Sequence, residues 1–366
     1  MQRSWKPLAL GAAGALALGL ALAPPAAAHG SHPRPDRPVT VAENLVSPLT
    51  FDVERPGTLY VGQAFAGALT RIDHRGRSRD LVGPHGIEIA AVSTHRGTLT
   101  WAETAYPTEE GGELSAVIKQ RSPNGRVRQI ADLDHHEATK NPDGRTTYGF
   151  QGLSPECLAT LPPGALAPYQ GLVDSHPYGS VTVGGELYVA DAAANAVLRV
   201  DRWGKVRTVA VLPGTPVRIT AEMAEANGVD PCVAGHVMML ESVPTDVEVG
   251  RNGLLYVSTL PGGPEDGSLG ANGSVYTVEP WSGRVRLLAR GFAGATNLAV
   301  APDGTVYVAE LFGNEVSAIS RRGKVSTVAT LNQPAGVEWS DGRLYVSTDA
   351  FGAGKIVTLR ASSGRH

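Results

Sequence analysis

A short unit of alternating apolar residues recurs six times along this chain and constrains its fold more than any other feature. In most copies an aliphatic residue, a tyrosine and a valine stand in a row, as in LYVGQ at residues 59–63. Such alternation is typical of a half-buried β-strand. The chain is therefore predicted to be a series of similar strands. The second residues of the six units are Tyr60, Thr100, Tyr188, Tyr256, Tyr307 and Tyr345.

The spacing of these units predicts propeller blades. The successive steps are 40, 88, 68, 51 and 38 residues, and the two long steps shrink to 48 and 38 when residues 134–173 and 213–242 are treated as insertions. A period of about 40 to 50 residues with four short strands is that of a β-propeller blade. Tight loops such as GRNG and DRWGK supply the Gly and Asn that hairpins between the strands require.

The sixth repeat ends before a fourth strand can form, because only ASSGRH follows residue 360. Near the other end of the chain, residues 37–53 match the pattern of residues 323–339. We therefore expect a strand from Val39 to Leu45 to complete the last blade and leave no free edge in the seam. The predicted fold is all-β: a six-bladed β-propeller closed by an N-terminal strand, with two short-helix insertions on one face.

Residues 1–28 have the features of a secretory signal peptide. A basic start, MQRSWK, precedes a run of sixteen apolar residues, and the alanines at 26–28 offer an A-x-A cleavage site. The run is shorter than the roughly 20 residues that a membrane span needs. The predicted organisation is a signal peptide at 1–28, a flexible linker at 29–37, the propeller at 38–360 and a C-terminal tail at 361–366.

Charge and cysteine content bear on location and partners. Without residues 1–28 the chain has 30 basic and 35 acidic residues, a net charge of −5, which disfavours nucleic acid as a partner. We expect a secreted monomer without a membrane span that binds a small molecule or an extracellular partner. The even cysteine count of an exported chain favours one disulfide, between Cys157 and Cys232.

Each cysteine lies within or just beyond a predicted short helix. Residues 154–162, SPECLATLP, and 219–228, ITAEMAEANG, both begin with a Ser or Thr cap. A disulfide would join the two insertions as a lid. In a four-stranded meander both insertions and the long loops at 104–114 and 260–273 fall on one face, so this face is the predicted site. The alternative is that these additions only cover hydrophobic edges.

Three oxygen-bearing side chains stand at the entrances to predicted inner strands: Glu88, Asp246 and Asn297. Inner strands surround the propeller axis, so these side chains are expected to converge at one mouth of the channel. Carboxylate and amide oxygens suit a hard cation, and we predict a divalent site with Ca²⁺ favoured. The alternative is that each residue only caps a turn.

A second set of candidates lies farther out on the same face. Aromatic residues in or beside the first insertion would either line a ligand site or pack the lid onto its scaffold. Carboxylates at the ends of second strands, which include Asp191, are more typical of turn caps. The predicted ligand-binding residues are Tyr148, Phe150, His176, Tyr178 and Glu310.

Four segments closely resemble the ScyD/ScyE family of exported propeller proteins, which are named for association with biosynthesis of the indole-derived pigment scytonemin. They are DSHPYG at 174–179, VPTDVEV at 243–249, LYVSTLPGGPEDGSLGANGSVY at 255–276 and GFAGATNLAVAPDGTVYVAELFGNEVS at 291–317. The resemblance extends over residues 39–360. It implies a secreted six-bladed propeller and assigns no activity.

The blades also resemble those of NHL-repeat proteins and of the SMP-30/gluconolactonase group. In the latter a divalent cation sits at the channel mouth on Glu, Asn and Asp, which Glu88, Asp246 and Asn297 match in type and place. The resemblance makes Glu103 the first candidate for a catalytic base, because it belongs to the same blade as Glu88.

Two functions follow from these features. The first is a binding module that holds a small molecule, glycan or partner at the lidded mouth, with any cation serving structure. The second is a metal-assisted, lactonase-like hydrolase at the same mouth. The sequence contains no G-x-S-x-G elbow or P-loop and no nucleophile beside a base, so binding is favoured and enzymatic activity is left open.

Overall fold

A computed structural model describes residues 37–54, 57–107, 113–162, 167–264 and 267–360. The predicted signal peptide, the tail and nearly all of the linker lie outside the described residues. No helix in the described part of the chain has the length and hydropathy of a membrane span. The described residues form strands β1 to β28 and three α-helices.

The strands of the N-terminal half are β1 Val39–Val46, β2 Pro48–Glu54, β3 Thr58–Gln63, β4 Ala68–Ile72, β5 Ser78–Val82, β6 Glu88–His95, β7 Thr98–Ala105, β8 Ser115–Arg121, β9 Val127–Asp132, β10 Thr147–Gln151, β11 Tyr169–Gln170, β12 Pro177–Val183, β13 Glu186–Asp191, β14 Ala196–Val200 and β15 Val206–Val211. The remaining strands are β16 Thr215–Arg218, β17 Val237–Leu240, β18 Pro244–Val249, β19 Leu255–Thr259, β20 Gly273–Val278, β21 Val285–Phe292, β22 Ala295–Val300, β23 Val306–Glu310, β24 Glu315–Ile319, β25 Val325–Thr330, β26 Val337–Ser340, β27 Arg343–Thr348 and β28 Ala353–Arg360. The helices are α1 Leu133–Lys140, α2 Pro155–Leu158 and α3 Ala221–Ala226.

These strands form seven four-stranded antiparallel sheets. Five of them are simple meanders of four consecutive strands, and a sixth joins β26, β27 and β28 to β1. The innermost strands of these six sheets contact one another in a closed cycle: β2, β6, β12, β18, β22 and β26. This arrangement is that of a β-propeller. The sequence predicted six sheets, so the structure holds one more than expected.

The recurring sequence unit forms the second strand of each of those six sheets, as predicted. Its third residue is buried in every copy. Burial of an aliphatic or aromatic side chain there stabilises the fold by roughly 1.5 to 3 kcal/mol. These residues are at most 1% exposed: Val61, Trp101, Val189, Val257, Val308 and Val346.

The N-terminal strand closes the ring. β1 pairs antiparallel with β28, with Val39 opposite Thr358 and Val46 opposite Ala353, and the sheet order is β1-β28-β27-β26. The predicted closure is therefore confirmed. It removes the unpaired edge that β28 would otherwise present.

The seventh sheet is built entirely from the two insertions. Its order is β11-β10-β17-β16, and Gly149 of β10 stands opposite Met239 of β17. The sequence predicts only short helices in these insertions. It does not indicate the strands, because they are short and because their partners lie in different insertions.

The predicted helices and the predicted disulfide are present in this lid, the part of the chain formed by the two insertions. Ser154 caps α2 and Thr220 caps α3 through their side chains. Cys157 is bonded to Cys232, with 5.8 Å between their Cα atoms. The disulfide and the β10–β17 pairing together join one insertion to the other.

Hydroxyl side chains join neighbouring inner strands around the ring. Ser180 Oγ donates to the carbonyl of Ala91, and Thr245 Oγ1 donates to the carbonyl of Ala295, each at 2.8 Å. Both hydroxyls are buried and find their acceptor on the adjacent sheet. Such bonds satisfy polar groups that close packing between blades would otherwise leave unpaired.

Candidate functional site

Asp246 and Asn297 lie together on adjacent inner strands, as the sequence predicted. Asp246 Oδ2 accepts from Asn297 Nδ2 at 2.8 Å and from the backbone N–H of Leu298 at 3.1 Å. Asn297 Oδ1 in turn accepts from the backbone N–H of Val337 at 2.7 Å on the following sheet. These bonds connect three successive inner strands, β18, β22 and β26.

The absence of a side chain at Gly179 makes room for Asp246. A Cβ atom at this glycine would overlap the carboxylate of Asp246, so β12 and β18 approach closely only because residue 179 is glycine. The carboxylate therefore has β12 on one side and β22 on the other. Packing and hydrogen bonding between neighbouring sheets therefore fix the position of the Asp246 carboxylate.

Glu88 has a different partner. Its Oε1 lies 3.1 Å from His176 Nε2. Among the described residues, no group of three or more His, Cys, Asp and Glu side chains is arranged to hold a metal ion. Glu88 bonds His176, whereas the Asn297 amide bonds Asp246 and the backbone N–H of Val337. The cation on Glu88, Asp246 and Asn297 stays a prediction.

His176 is the centre of a polar and aromatic cluster beside the lid. Its ring meets the rings of Tyr106 and Tyr178 edge to face, with centroids 5.7 and 5.8 Å away. The His176 side chain is 25% exposed and that of Glu88 is 16% exposed, so neither side chain is fully buried. We call Glu88, His176, Tyr106 and Tyr178 the histidine site.

A buried carboxylate holds the backbone of the histidine site in place. Asp191 Oδ1 accepts from the N–H of His176 at 2.7 Å and of Ala194 at 3.2 Å, while its Oδ2 accepts from Ser175 Oγ at 2.6 Å. Asp191 is fully buried and has three donors. It acts as the cap that its position at the end of β13 predicted.

The electrostatics of the site favour a charged His176. Burial by itself lowers the pKa of His176, but the hydrogen bond and the negative charge of Glu88, with the charges of Asp191 and Asp174, outweigh burial and raise that pKa above its ordinary value. Burial raises the pKa of Asp191, and its three hydrogen bonds offset part of that effect. The local field is thus negative, which disfavours an anionic ligand.

The other predicted site residues serve packing or capping. Tyr148 is completely buried and Phe150 is 2% exposed, both within the lid sheet, so they pack the lid. Glu310 is also buried and accepts from the N–H of Ala293 at 2.7 Å.

Glu103, the predicted base, has both carboxylate oxygens engaged within its own blade. Its Oε1 accepts from Trp101 Nε1 at 3.0 Å and its Oε2 lies 3.6 Å from Lys119 Nζ. The residue that contacts Glu88 is His176, and no contact between Glu103 and Glu88 side chains is present among the described hydrogen bonds.

A second layer of carboxylates lines the inner strands beyond the predicted entrance residues. Asp52, Glu248 and Glu338 lie on the inner strands β2, β18 and β26, and Glu248 stands two positions after Asp246. Burial, and then the charges of the neighbouring carboxylates, raise the pKa of Glu248 and of Glu338 well above the ordinary value. Burial likewise raises the pKa of Asp52.

Sequence reasoning missed Tyr106 and the second carboxylate layer. Tyr106 lies in the long loop at 104–114, which was recognised as an elaboration of the lidded face, so its location was an available signal. The second layer follows from the strand period of two, because residues two positions apart share a face. Asp52, Glu248 and Glu338 could have been found by that rule.

No protein-family model and no curated protein matches the chain. Solved structures match over most of its length. They include the pyrroloquinoline quinone-bound aldose sugar dehydrogenase of Streptomyces coelicolor, with TM-score 0.55, 14% identity, and coverage of 88% of this chain and 96% of that one. A gluconolactonase from Xanthomonas campestris matches with TM-score 0.51, 10% identity, and coverage of 89% and 90%. A streptogramin B lyase matches with TM-score 0.50, 15% identity, and coverage of 88% and 96%.

At these identities the likeness shows the fold alone, a β-propeller. The resemblance to SMP-30/gluconolactonase-type propellers stays a prediction. The resemblance to the ScyD/ScyE family stays a prediction.

Proposed function

We propose that this chain is an exported six-bladed propeller that binds a small neutral or cationic molecule with hydroxyl or amine groups at the histidine site. Six of the seven sheets would be blades, since their inner strands form a closed cycle, and the seventh would belong to the lid. The observation that carries the proposal is the Glu88–His176 pair, 3.1 Å apart between two tyrosine rings.

The composition of the site supports this class of ligand. A carboxylate and an imidazole placed together offer an acceptor and a donor for hydroxyl or amine groups. Tyrosine rings add apolar contact area and a polar tip, the combination that recognises sugar faces and aromatic rings. The negative charges of Asp174 and Asp191 act on His176, so an anion would be repelled.

A thermal-shift and calorimetry panel of neutral sugars, phenols and aromatic amines tests the proposal. Loss of a hydrogen bond to a charged group costs about 1.5 to 3 kcal/mol, so His176→Ala and Glu88→Gln are each expected to weaken a hit at least tenfold. Trp203→Ala is the matched control, because Trp203 is 76% exposed on a hairpin between the third and fourth strands of its blade. Hits whose affinity is the same in His176→Ala and wild type would overturn the proposal.

A second candidate is acid–base catalysis by the same pair. The 3.1 Å contact lets Glu88 and His176 share a proton, and the backbone bond from His176 to Asp191 fixes the imidazole in position. In hydrolysis of a lactone or ester, Glu88 would accept the proton of the water whose oxygen bonds the carbonyl carbon, with His176 positioning that carboxylate. As the acyl C–O bond breaks, Glu88 would give the proton to the leaving alkoxide oxygen. Such a metal-assisted or metal-free hydrolase remains the alternative to simple binding.

Turnover of a panel of model lactones and esters distinguishes the two. If the chain is an enzyme, Glu88→Gln should abolish turnover while binding of the substrate persists, and activity should depend on pH through the pair. The predicted cation enters through one comparison, activity with chelator against activity with added Ca²⁺. A wild-type protein that binds panel members without turning any over would leave binding as the function.

A further inference from the structure

The first insertion contains a group of buried oxygen atoms without donors. Both carboxylate oxygens of Glu137, Oδ1 of Asn141 and Oδ1 of Asp143 have no hydrogen-bond partner in the described part of the chain. Glu137 and Asp143 are each only 1% exposed. An unsatisfied buried polar atom is costly, and more so when it is charged. Four such atoms between residues 137 and 143 need a partner.

The charges that act most strongly on Glu137 are negative. Besides burial, the charges of Asp191, Asp143 and Asp174 raise the pKa of its carboxylate, and the backbone N–H of Asp174 offsets part of that rise. No lysine or arginine is among these groups. A buried carboxylate in such surroundings requires a bound cation or a proton.

The local backbone brings the three side chains to one side of the α1 terminus. Asn141 follows Glu137 by four residues, its N–H bonds the Glu137 carbonyl at 2.7 Å, and its φ of 38° ends the helix. Residues at this spacing lie on the same helix face. The NPDG turn that follows then places Asp143 close by, with the Gly144 N–H bonded to the Asn141 carbonyl.

Gly171 contacts both Asn141 and Asp143. Its carbonyl accepts from Asn141 Nδ2 at 3.1 Å, which fixes the amide so that Oδ1 is the free atom. A Cβ atom at Gly171 would overlap the Asp143 carboxylate. The one histidine of this helix that is buried, His136, has its Nε2 3.0 Å from Thr208 Oγ1 on β15.

We propose that Glu137, Asn141 and Asp143 form a calcium site in the first insertion, with backbone carbonyls and water completing the shell. Two carboxylates and an amide are hard oxygen ligands, and Ca²⁺ accepts such a mixed, irregular set. Two of the proposed side-chain ligands are carboxylates and the third is an amide; the described residues contain no group of three or more His, Cys, Asp and Glu side chains arranged to hold a metal ion. The site is separate from the cation predicted on Glu88, Asp246 and Asn297.

The site would fasten the lid to the propeller. Asp143 Oδ2 accepts from Tyr148 OH at 3.0 Å and from Asn195 Nδ2 at 2.8 Å, and Asn195 Oδ1 accepts from the N–H of Val243 at 2.9 Å. A cation on the other oxygen of Asp143 would therefore be linked to the loop after β13 and to the start of β18. Its loss is expected to loosen the lid first.

Terbium luminescence gives a readout specific to this site. Tb³⁺ replaces Ca²⁺ at oxygen-rich sites and emits when a nearby tyrosine is excited, and Tyr148 OH bonds the proposed ligand Asp143. The full-length oxidised protein, stripped with chelator, is expected to show tyrosine-sensitised Tb³⁺ emission that Ca²⁺ displaces. Ca²⁺ alone is expected to raise Tm by a few degrees when it saturates the site.

Substitutions of the proposed ligands test where the ion binds. Glu137→Gln and Asp143→Asn should each lose the emission and the Ca²⁺-dependent Tm shift, whereas Asp246→Asn and the exposed control Glu225→Gln should keep both. If the Glu137 and Asp143 variants do not fold, Tyr148→Phe serves: it should weaken the sensitised emission, to which the neighbouring Tyr169 can still contribute, and retain the Ca²⁺ shift. The proposal is overturned if wild type shows neither effect, or if Asp246→Asn removes both. His176→Ala leaves this site intact, so its outcome tests the proposed function alone.

Discussion

Asp246 offers the sharpest test of what the inner strands require. Its Oδ2 accepts from Asn297 Nδ2 and from the N–H of Leu298, and all three residues are at most 5% exposed. Asp246→Ala leaves two buried donors unpaired, at about 1 to 3 kcal/mol each, so we expect the free energy of unfolding to fall by about 2 to 6 kcal/mol. Asp246→Asn keeps an acceptor of the same shape, and below pH 3.8, where the carboxyl of Asp246 is protonated, it should stay within about 1 kcal/mol of wild type.

The pH dependence of stability in wild type and Asp246→Asn gives a second test. Burial raises the pKa of Asp246 to about 7, which lies above the unfolded value near 3.8. A raised folded pKa means that the contribution of this group to stability is present below pH 3.8 and is lost as the pH rises through about 7. Asp246→Asn should therefore gain stability relative to wild type between pH 5.5 and pH 8.5.

Urea unfolding of the oxidised protein in chelator measures both effects, since ΔG falls linearly with denaturant. Asp303→Ala is the control, because Asp303 is exposed on a hairpin and accepts only from the N–H of Thr305 at 3.0 Å. Its loss should cost less than about 1 kcal/mol. Equal destabilisation by Asp246→Ala and Asp246→Asn would refute the reasoning, because hydrogen-bond acceptance could not then be the role of Asp246.

Three further changes test other parts of the fold. Opening the 75-residue disulfide loop with Cys157→Ser should lower stability by roughly 4 kcal/mol if the lid unfolds with the propeller, and less if urea unfolding separates into two steps. Glu338→Gln should flatten the fall in Tm above about pH 4.5, because burial and neighbouring carboxylates raise the folded pKa above its ordinary value of 4.5; an unchanged pH profile would contradict this. Gly179→Ala should destabilise by about 1 to 3 kcal/mol or more through overlap with Asp246, while Gly83→Ala, in open space, should not.

Much of the fold was readable from short patterns. The third residue of each recurring unit, such as Val189, had to be buried because the unit alternates, and it is. The helix caps Ser154 and Thr220 and the bond between Cys157 and Cys232 were also readable, since each depends on local spacing or on the cysteine count. These features need no knowledge of distant neighbours.

The sequence predicted only some of the contacts in the candidate site. Asp246 and Asn297 were expected to meet because their strands occupy equivalent places in consecutive blades, and they do. The partner of Glu88 was not readable, because His176 lies in a link between blades whose path no strand pattern predicts. The buried position of Tyr148 in the lid depended on the pairing of two insertions, and its role in ligand binding stays a prediction.

The sequence by itself therefore determined the strands of six of the seven sheets and the closure by β1, because both follow from a period of two, a repeat and turn chemistry. Only the tertiary structure decided that the insertions form a sheet, that Glu88 pairs with His176, and that Glu137 and Asp143 are buried without donors. The physical reason is that hydrogen bonding, burial and charge are properties of neighbours in space. For residues in long links, those neighbours are set by packing across 70 or more positions of the chain.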